Sequence, residues 1–547
     1  MMKLSDYVMK FLEGKTDSIF LVSGGGSMHL VDSIGRSNLN SYCCHHEQAC
    51  TLAAEGYARL KNDIGVACVT TGPGGTNAIT GVAASWVDGI PIMIISGQVR
   101  IETMLKKEDK KKGLRQVGPQ ELNIIDVVKP ITKYSVTVMD PNKIKYHLEK
   151  AIYLAKDGKP GPVWIDIPLD IQSSEIQEKS LKGFSIPKKQ KAKIPFGKIV
   201  NELNKAKRPL MLVGNGVWLS GAQDLLWKFI EKFKINVVSS MSGDDLVNES
   251  YPNYLGKQGT TGTETANYAV DNCDLLLVLG TRMQIRQTSF DYGNFVKGAK
   301  KIMVDIDEAE LDKINFKPDI GVVADAKDFL EGIMDKDIKL QKWEVKIKKR
   351  RSNETKKGYI DIYEFFDKGL NKIGFPFPVI TTNGMACESS HQAIKLSRAQ
   401  RLITNTAFGE MGKGLPMAIG ACVANGKNPV ICMEGDGSIM MNLQELQTIK
   451  HHNLPLKIFL LNNGIYYSIR NTMNSYFGNV FAADVESGVS VPNWKKLMEG
   501  LGIKYEKIKD KSDLHKLKHI LNFEGPIFCE LVLDPNQKML PKWMAKK

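Results

Sequence analysis

Short apolar runs that end in Gly or Asn recur along the whole chain, and they restrict its fold more than any other feature. They are GVACVTTGPGG, IPIMIISGQ and GPVWIDIP in the first part, RPLMLVGNG, DLLLVLGTR and KIMVDID in the second, and FPVITTNG, NPVICMEGDGS and LPLKIFLLNN in the third. Amphipathic helical stretches separate these runs. Continuous apolar runs suit strands that are buried on both faces of a parallel sheet, and their alternation with helices indicates βαβ units. The sequence therefore predicts an α/β fold with three doubly wound parallel-sheet domains.

Two polar, Lys-rich stretches, near 172–193 and near 336–358, divide this pattern and have the composition of inter-domain linkers. We therefore expect three domains, which cover 1–172, 190–336 and 358–547. In open α/β sheets, ligands bind beyond the carboxyl ends of the strands. Motifs that follow the apolar runs are therefore the candidate functional sites.

The net charge of +14 and the pI near 9.1 raise the question of a nucleic-acid partner. The Lys and Arg residues are scattered, however, apart from the runs 106–115 and 346–357, and neither run has interleaved aromatic residues. A solvated basic surface is the favoured interpretation, and binding of anionic small molecules near the first run is the second. We expect no nucleic-acid partner.

The chain begins without the apolar core of a signal peptide, and no stretch approaches 18 uninterrupted apolar residues. We therefore expect a cytoplasmic protein with no membrane partner. Its nine cysteines are odd in number and form no C-x-x-C pair. This pattern predicts reduced, mostly buried thiols rather than a disulfide framework or a zinc site.

A candidate metal and diphosphate motif follows the run VICME, and its residues are Gly435, Asp436, Gly437 and Ser438. A helical stretch and a further apolar run lead to Asn462-Asn463, so both motifs are expected at the same edge of neighbouring strands. Mg²⁺ prefers hard oxygen ligands together with phosphate. Asp436, the Asn463 amide and the Ile465 carbonyl are the candidate ligands, and the glycines allow close approach of a diphosphate. The alternative is an ordinary Asp-Gly turn.

Glu47 lies where a short strand gives way to an Ala-rich helix. Taken alone, it is explained as an acid that the helix dipole favours in a first turn. However, HHEQA at 45–49, TTGPGGTN at 70–77, GEMGKGLP at 409–416 and GDGS…NN occur in one order. With these motifs the chain resembles the thiamine-diphosphate-dependent decarboxylases and carboligases. Three further stretches, 114–134, 158–172 and 279–286, resemble the acetolactate synthases in particular.

The resemblance implies roles for individual residues. Glu47 is the catalytic residue, which hydrogen-bonds N1′ of the cofactor's aminopyrimidine. Met411 holds the cofactor bent, and the Gly409 carbonyl accepts its N4′–H. The other positions that match cofactor-binding motifs are Gly24, Gly25, Thr71, Gly72, Pro73, Asn77 and Gln120. The family's site lies between two chains, which implies a homodimer or homotetramer and leaves a regulatory subunit open.

The middle part resembles the FAD-binding stretches of acetolactate synthases at 255–267, 279–286 and 304–311. The resemblance implies that Arg282, Arg286 and Asp305 are the polar contacts of an FAD. The alternative is a sheet domain that binds no ligand. The run Gly214-Asn215-Gly216 begins like a dinucleotide fingerprint, but the next glycine, Gly221, is misplaced, so we set this run aside.

The expected reaction is decarboxylation of pyruvate and transfer of the two-carbon unit to an acceptor carbonyl of a 2-keto acid. Four positions depart from the acetolactate synthase pattern on the acceptor side, namely Pro119, Leu169, Lys257 and Thr472. Loss of an aromatic wall favours a larger and more polar acceptor. The alternatives are therefore two-carbon branching of a nucleotide-linked keto-sugar and simple decarboxylation of a 2-keto acid. The presence of Glu47, Asp436 and Asn463 argues against a non-catalytic protein.

Overall fold

Three domains, each built on a six-stranded parallel sheet, make up the computed structural model, as the apolar runs predict. The structure describes residues 1–188, 192–313, 316–346, 356–405, 407–540 and 542–544. The start expected for the middle domain, residue 190, and most of the second basic run, 346–357, lie outside these ranges.

The N-terminal sheet has the strand order β3-β2-β4-β5-β7-β6, and a two-stranded antiparallel pair, β1 with β8, lies apart from it. The strands of this domain, including the separate pair, are β1 (Met2–Lys3), β2 (Ser18–Leu21), β3 (Asn40–Cys43), β4 (Gly65–Val69), β5 (Ile92–Gln98), β6 (Tyr134–Thr137), β7 (Val163–Pro168) and β8 (Glu175–Ile176). Its helices are α1 (Leu4–Glu13), α2 (Met28–Arg36), α3 (Glu47–Lys61), α4 (Pro73–Asn77), α5 (Ile79–Asp88), α6 (Lys107–Lys111), α7 (Ile124–Val128), α8 (Ile144–Lys156) and α9 (Leu169–Ser173). Every residue of β4, β5 and β7 is buried, which explains their continuous apolar sequence.

The central sheet has the order β11-β10-β9-β12-β13-β14. Its strands are β9 (Pro209–Val213), β10 (Asn236–Ser239), β11 (Tyr254–Lys257), β12 (Leu275–Leu279), β13 (Lys300–Asp305) and β14 (Ile320–Val323). Its helices are α10 (Phe196–Lys205), α11 (Gly216–Leu219), α12 (Gln223–Phe233), α13 (Glu264–Asn272), α14 (Glu308–Leu311) and α15 (Ala326–Ile333). This is the strand order of dinucleotide-binding sheets, and it reverses direction between β9 and β12. A crevice is expected there.

The C-terminal sheet has the order β16-β15-β17-β18-β20-β19. Its strands are β15 (Val379–Thr381), β16 (Leu402–Thr404), β17 (Val430–Gly435), β18 (Leu456–Asn462), β19 (Lys504–Ile508) and β20 (Ile527–Val532). Its helices are α16 (Ile362–Glu364), α17 (Asn371–Ile373), α18 (Gly384–Ala393), α19 (Gly414–Ala424), α20 (Asp436–Ile439), α21 (Glu445–His451), α22 (Tyr467–Phe477), α23 (Trp494–Leu501) and α24 (Lys516–Asn522). Counted from β2 and from β15, the N-terminal and C-terminal sheets have the same strand order.

Helices α3 and α19 join the N-terminal and C-terminal domains through a close antiparallel crossing. A Cβ atom on Gly56 would collide with the carbonyl oxygen of Met417, and one on Gly420 would collide with that of Ala53. The two backbones therefore touch where glycines remove the side chains. Buried residues of both helices belong to one hydrophobic core that spans the two domains.

None of the nine cysteines is paired in a disulfide, and all except Cys43 are buried, which confirms the prediction of mostly buried thiols. Among the described residues, no helix has both the length and the apolar character needed to cross a membrane.

Candidate active site

Apart from Gln120, which lies between β5 and β6, the predicted N-terminal site residues follow three neighbouring strands, β3, β2 and β4. Glu47 is the first residue of α3, and the His46 side chain caps this helix by accepting from the Gln48 N–H. Glu47 is 9% exposed, and its Oε2 accepts a hydrogen bond from Asn77 Nδ2 at 3.0 Å. The structure thus brings together two residues that the sequence placed in separate motifs.

The turn between β4 and α4 holds Thr71, Gly72 and Pro73. Gly72 has φ = 61°, and a Cβ there would collide with the carbonyl oxygen of Gln120, so this position requires glycine. The Thr71 hydroxyl donates to Gln98 Oε1 at 2.9 Å and lies 3.3 Å from the Gln120 carbonyl. The loop that carries Gln120 is therefore packed directly on this turn.

Gly24 and Gly25 follow β2 at the same sheet edge. A Cβ atom on Gly24 would press against the Thr70 side chain, whereas Gly25 faces open space. The backbone here is therefore accessible to a ligand at the edge where Glu47 lies.

Asp436 lies at the carboxyl end of β17, beside the end of β18. Its Oδ2 accepts from the Asn463 N–H at 3.0 Å and from the Gly464 N–H at 2.6 Å, and its Oδ1 accepts from the Gly437 N–H at 2.7 Å. The Asn463 side chain in turn accepts from the Ile465 N–H at 3.2 Å. The three candidate metal ligands are thus neighbours, as the sequence predicts.

These residues fit a divalent cation. Asp436 is 3% exposed, and the hydrogen bonds that its carboxylate accepts come from backbone N–H groups rather than from charged side chains. Burial raises the pKa of Asp436 to about 6, although these N–H groups favour its ionised form. No cluster of three or more His, Cys, Asp and Glu side chains suited to a metal occurs among the described residues. A site of one carboxylate, one amide and one carbonyl is compatible with that finding.

Gly437 is packed against the Tyr466 ring, with which a Cβ atom would collide, so this position requires glycine. Gly435 is open to its surroundings, and Ser438 Oγ accepts from the Gly412 N–H at 2.9 Å. The GDGS motif therefore also holds the loop that contains Gly409 and Met411.

That loop, residues 409–412, is held by asparagines that the sequence did not single out. Asn405 accepts from the Gly409 N–H at 3.0 Å and donates to the Glu410 carbonyl at 2.9 Å. Asn442 donates to the Gly412 carbonyl at 2.8 Å, and Asn383 donates to the Gly409 carbonyl at 3.1 Å. Asn383 follows the apolar run of β15, so the signal that identified Asn463 after β18 also applies to it.

The central domain forms a cleft of about 1210 Å³, including the space open to solvent, at the carboxyl ends of its strands. Its walls come from the central and N-terminal domains and include Arg59, Lys159, Gly216, Thr281, Arg282 and Asp305. Burial raises the pKa of Asp305 to about 6. The Gly214-Asn215-Gly216 run, set aside for its glycine spacing, supplies two of the lining residues, Asn215 and Gly216.

Comparison with known proteins agrees with this geometry. Profiles of the thiamine pyrophosphate enzymes match the N-terminal TPP-binding domain at residues 2–125, the central domain at 196–333 and the C-terminal TPP-binding domain at 382–531. A probable acetolactate synthase large subunit of Methanocaldococcus jannaschii is 33% identical over 98% of this chain and 93% of its own length. Acetolactate synthase 1 of Nicotiana tabacum chloroplasts is 33% identical, with 98% and 83% covered. The large subunit of Cyanidium caldarium is 30% identical, with 96% and 92% covered.

The chain belongs to the acetolactate synthase family of thiamine-diphosphate-dependent carboligases. Within a single chain of this carboligase, Glu47 and Met411 lie at opposite ends of the α3–α19 pair. Gly56 faces Met417 and Ala53 faces Gly420, so the helices are antiparallel, and Met411 precedes α19 near the C-terminal end of α3. Helix α3 has 15 residues, which separates its two ends by roughly 20 Å at 1.5 Å per residue.

Two residues expected at the flavin or acceptor sites are directed elsewhere. Arg286 pairs with Glu388 at 3.1 Å and is not among the residues that line the cleft. Lys257 is 5% exposed, and its Nζ donates to the Ile394 carbonyl at 3.2 Å. Pro119 and Thr472, by contrast, are exposed.

Proposed function

We propose that this carboligase decarboxylates pyruvate and transfers the resulting two-carbon unit to an acceptor carbonyl, with acetolactate as the product when a second pyruvate accepts it. The observation that carries the proposal is the pair of buried carboxyl groups, Glu47 and Asp436, each at the ligand-binding edge of a sheet of the same topology. The named relatives, which are acetolactate synthases, support the choice of pyruvate.

Asp436, the Asn463 amide and the Ile465 carbonyl would hold Mg²⁺, and 435–438 would hold the diphosphate of the cofactor. When bound, thiamine diphosphate supplies a nucleophilic carbon and an electron sink for decarboxylation. The protein's part is to hold, orient and shield it. The Gly409 carbonyl and the Met411 side chain would contact the aminopyrimidine.

Glu47 would exchange a proton with the ring nitrogen of the aminopyrimidine. Asn77 binds Oε2 and so orients the carboxyl group, which leaves Oε1 for the ring. Because the group is buried, the hydrogen bond is shielded from water, which strengthens it.

We further propose that the active site forms between two copies of the chain. One aminopyrimidine ring, only a few ångströms across, cannot reach both Glu47 and Met411 of the same chain if the length of α3 separates them. A second copy, related by two-fold symmetry, would supply the missing half. The minimal assembly is therefore a homodimer.

A dinucleotide, FAD in the first instance, is the proposed ligand of the central cleft. The strand order and the position of the cleft at the β9–β12 reversal support a dinucleotide. Arg282 and Asp305 line the cleft and would contact the dinucleotide. Arg286 does not line the cleft and would act on this site only indirectly, through its ion pair with Glu388. The absorbance spectrum of the purified protein tests this proposal, because a bound flavin is yellow.

A second candidate acceptor is a nucleotide-linked keto-sugar. The observation that favours it is the basic run 106–115, in which all six Lys and Arg residues are exposed. This run precedes Gln120, whose loop packs on the turn at Thr71. Anionic phosphates would be attracted there.

The deciding experiment follows CO₂ release and acetolactate formation together, with purified protein, thiamine diphosphate, Mg²⁺ and pyruvate. We expect both products, and loss of both in Glu47→Gln. Slow CO₂ release without acetolactate, accelerated by a nucleotide-linked keto-sugar, would shift the proposal to the second acceptor. Rapid accumulation of acetaldehyde would instead identify a decarboxylase.

A further inference from the structure

Lys413 is a fully buried cation in the segment that also contains Gly409 and Met411. Its side chain is 0% exposed, although lysines are almost never fully buried unless they are paired. It precedes α19 directly, so its backbone belongs to the end of the 409–412 loop. Such a group needs an explanation, because removal of a charge from water is costly.

Two carboxylates from different domains flank Lys413. Its Nζ lies 2.8 Å from Glu410 Oε1, in the same loop, and 2.9 Å from Glu55 Oε1, on α3 of the N-terminal domain. Glu410 and Glu55 are themselves buried. These two carboxylates hold the pKa of Lys413 above its usual range despite its burial. Lys413 is therefore a charged bridge between α3 and the loop.

Glu55 is held rigidly on the side of the N-terminal domain. Arg59 Nε lies 2.8 Å from Glu55 Oε1, and Arg59 Nη2 lies 2.5 Å from Asp88 Oδ2. Asp88 also lies 3.5 Å from Arg282 Nη2 at the central cleft. Lys413 thus contacts an anchored carboxylate rather than a free one.

Glu410 stands between the two loop residues that are expected to contact the cofactor. Its backbone carbonyl accepts a hydrogen bond from Asn405, and its side chain forms the ion pair with Lys413. Gly409 and Met411 are bonded directly to Glu410, so a fixed Glu410 limits the backbone rotations open to both neighbours. The Glu410–Lys413 contact therefore restricts the orientation of Gly409 and Met411.

We propose that Glu410 and Lys413 are positioning residues, which hold the Gly409 carbonyl and the Met411 side chain in register with the cofactor by tying the loop to Glu55. The proposal rests on the proposed function, in which this loop contacts the aminopyrimidine. A merely stabilising role is disfavoured, since an apolar pair of similar volume generally serves stability as well as a buried ion pair does.

The test compares Glu410→Gln with the double variant Glu410→Gln/Lys413→Met. In the single variant, the amide oxygen introduced at position 410 can still accept from Lys413. The double variant removes this contact. It also removes one negative and one positive charge, so Glu55 remains paired with Arg59. Lys457→Met is the matched control, because Lys457 is also fully buried in the C-terminal domain but binds the carbonyls of Phe523 and Gly525.

We expect the double variant to lose about 10- to 100-fold in kcat at saturating thiamine diphosphate, since small misplacements of reacting groups have effects of this size. The KM for pyruvate should change less than kcat. Glu410→Gln should lose less in kcat than the double variant, because its amide oxygen can still accept from Lys413. Lys457→Met should lower the melting temperature with kcat unchanged.

Wild-type kcat and thiamine diphosphate affinity in a folded double variant would overturn the positioning role and leave the proposed function intact. A double variant that loses only melting temperature, like Lys457→Met, would overturn it equally. Binding of thiamine diphosphate to the wild-type protein is measured by quenching of the protein's intrinsic fluorescence. If the wild-type protein neither binds thiamine diphosphate nor turns over pyruvate, the proposed function itself fails.

Discussion

Asp166 is a buried carboxyl group that is connected to the Thr71 turn through Gln98. It is 0% exposed and accepts from the hydroxyl of Ser96 at 2.6 Å, from Gln98 Nε2 at 3.2 Å and from the Thr137 hydroxyl at 3.1 Å. Gln98 then accepts from Thr71. Burial outweighs these hydrogen bonds and raises the pKa of Asp166 to about 7.

The raised pKa of Asp166 predicts the direction in which the free energy of unfolding changes with pH. Between the unfolded value of 3.8 and about 7, the folded state binds more protons than the unfolded state, so the free energy of unfolding falls as the pH rises. Asp166→Asn removes this ionisation. We expect urea unfolding at pH 5 and pH 8 to differ less in the variant than in the wild type. Asp337→Asn, at an 81% exposed side chain, is the control. An unchanged pH dependence in Asp166→Asn would contradict the prediction.

Sequence and structure agree at residues whose position follows from local pattern. Asp436 and Asn463 each follow an apolar run, so their meeting at one sheet edge was predictable. Lys413 was not, because nothing in GEMGKGLP marks a lysine as buried, and its partner Glu55 comes from another domain. The direction of the Lys257 side chain was equally hidden, since it depends on Ile394 in the C-terminal domain.

At the scale of elements, the α3–α19 crossing yields a prediction about its glycines. Gly56→Ala or Gly420→Ala inserts a methyl group against the backbone of the facing helix, which must move away. Overpacking of this kind costs about 1–3 kcal/mol, more than the ~1 kcal/mol that alanine gains in helix propensity. Thermal unfolding should therefore show a lower melting temperature for each variant.

Gly500→Ala in α23 is the matched control for these two substitutions. Gly500 is exposed, and a Cβ there would meet nothing within 4 Å. Helix propensity alone should then operate and stabilise the protein by about 0.5–1 kcal/mol. Equal effects at Gly500 and Gly56 would show that the crossing is looser than the structure indicates.

The strands themselves were predictable, whereas the arrangement of the elements was not. Each predicted apolar run of the first domain became a buried strand of its sheet. The order of strands and the contact of α3 with α19 depend on pairing between distant segments, which local periodicity does not encode. The dinucleotide-type order of the central sheet is the clearest case. That order gives the Gly214-Asn215-Gly216 run a place at the cleft although its glycine spacing is wrong.

At the scale of the whole molecule, the two halves of the candidate active site, one with Glu47 and one with Met411 and Asp436, lie apart within one chain. The sheets of the N-terminal and C-terminal domains share one topology, and each presents its site residues at its carboxyl edge. Exposed apolar residues of the C-terminal domain include Phe408, Met440, Met441, Tyr476, Phe477 and Phe481. A second copy that covers them would bury apolar surface and complete the site together.

Mixing of two inactive variants tests this assembly directly. Glu47→Gln and Asp436→Ala should each inactivate the proposed homodimer, because every site would lack one of the two groups. A hybrid dimer, however, contains one site in which the intact Glu47 of one chain meets the intact Asp436 of the other. When an equimolar mixture is refolded, about half of the dimers are hybrids, and each hybrid has one intact site out of two. We therefore expect roughly a quarter of the wild-type activity. If the site lay within one chain, no hybrid would contain an intact site. Differently tagged chains verify that hybrid dimers form. A mixed sample that contains hybrids but is as inactive as either variant alone would therefore contradict the two-chain site.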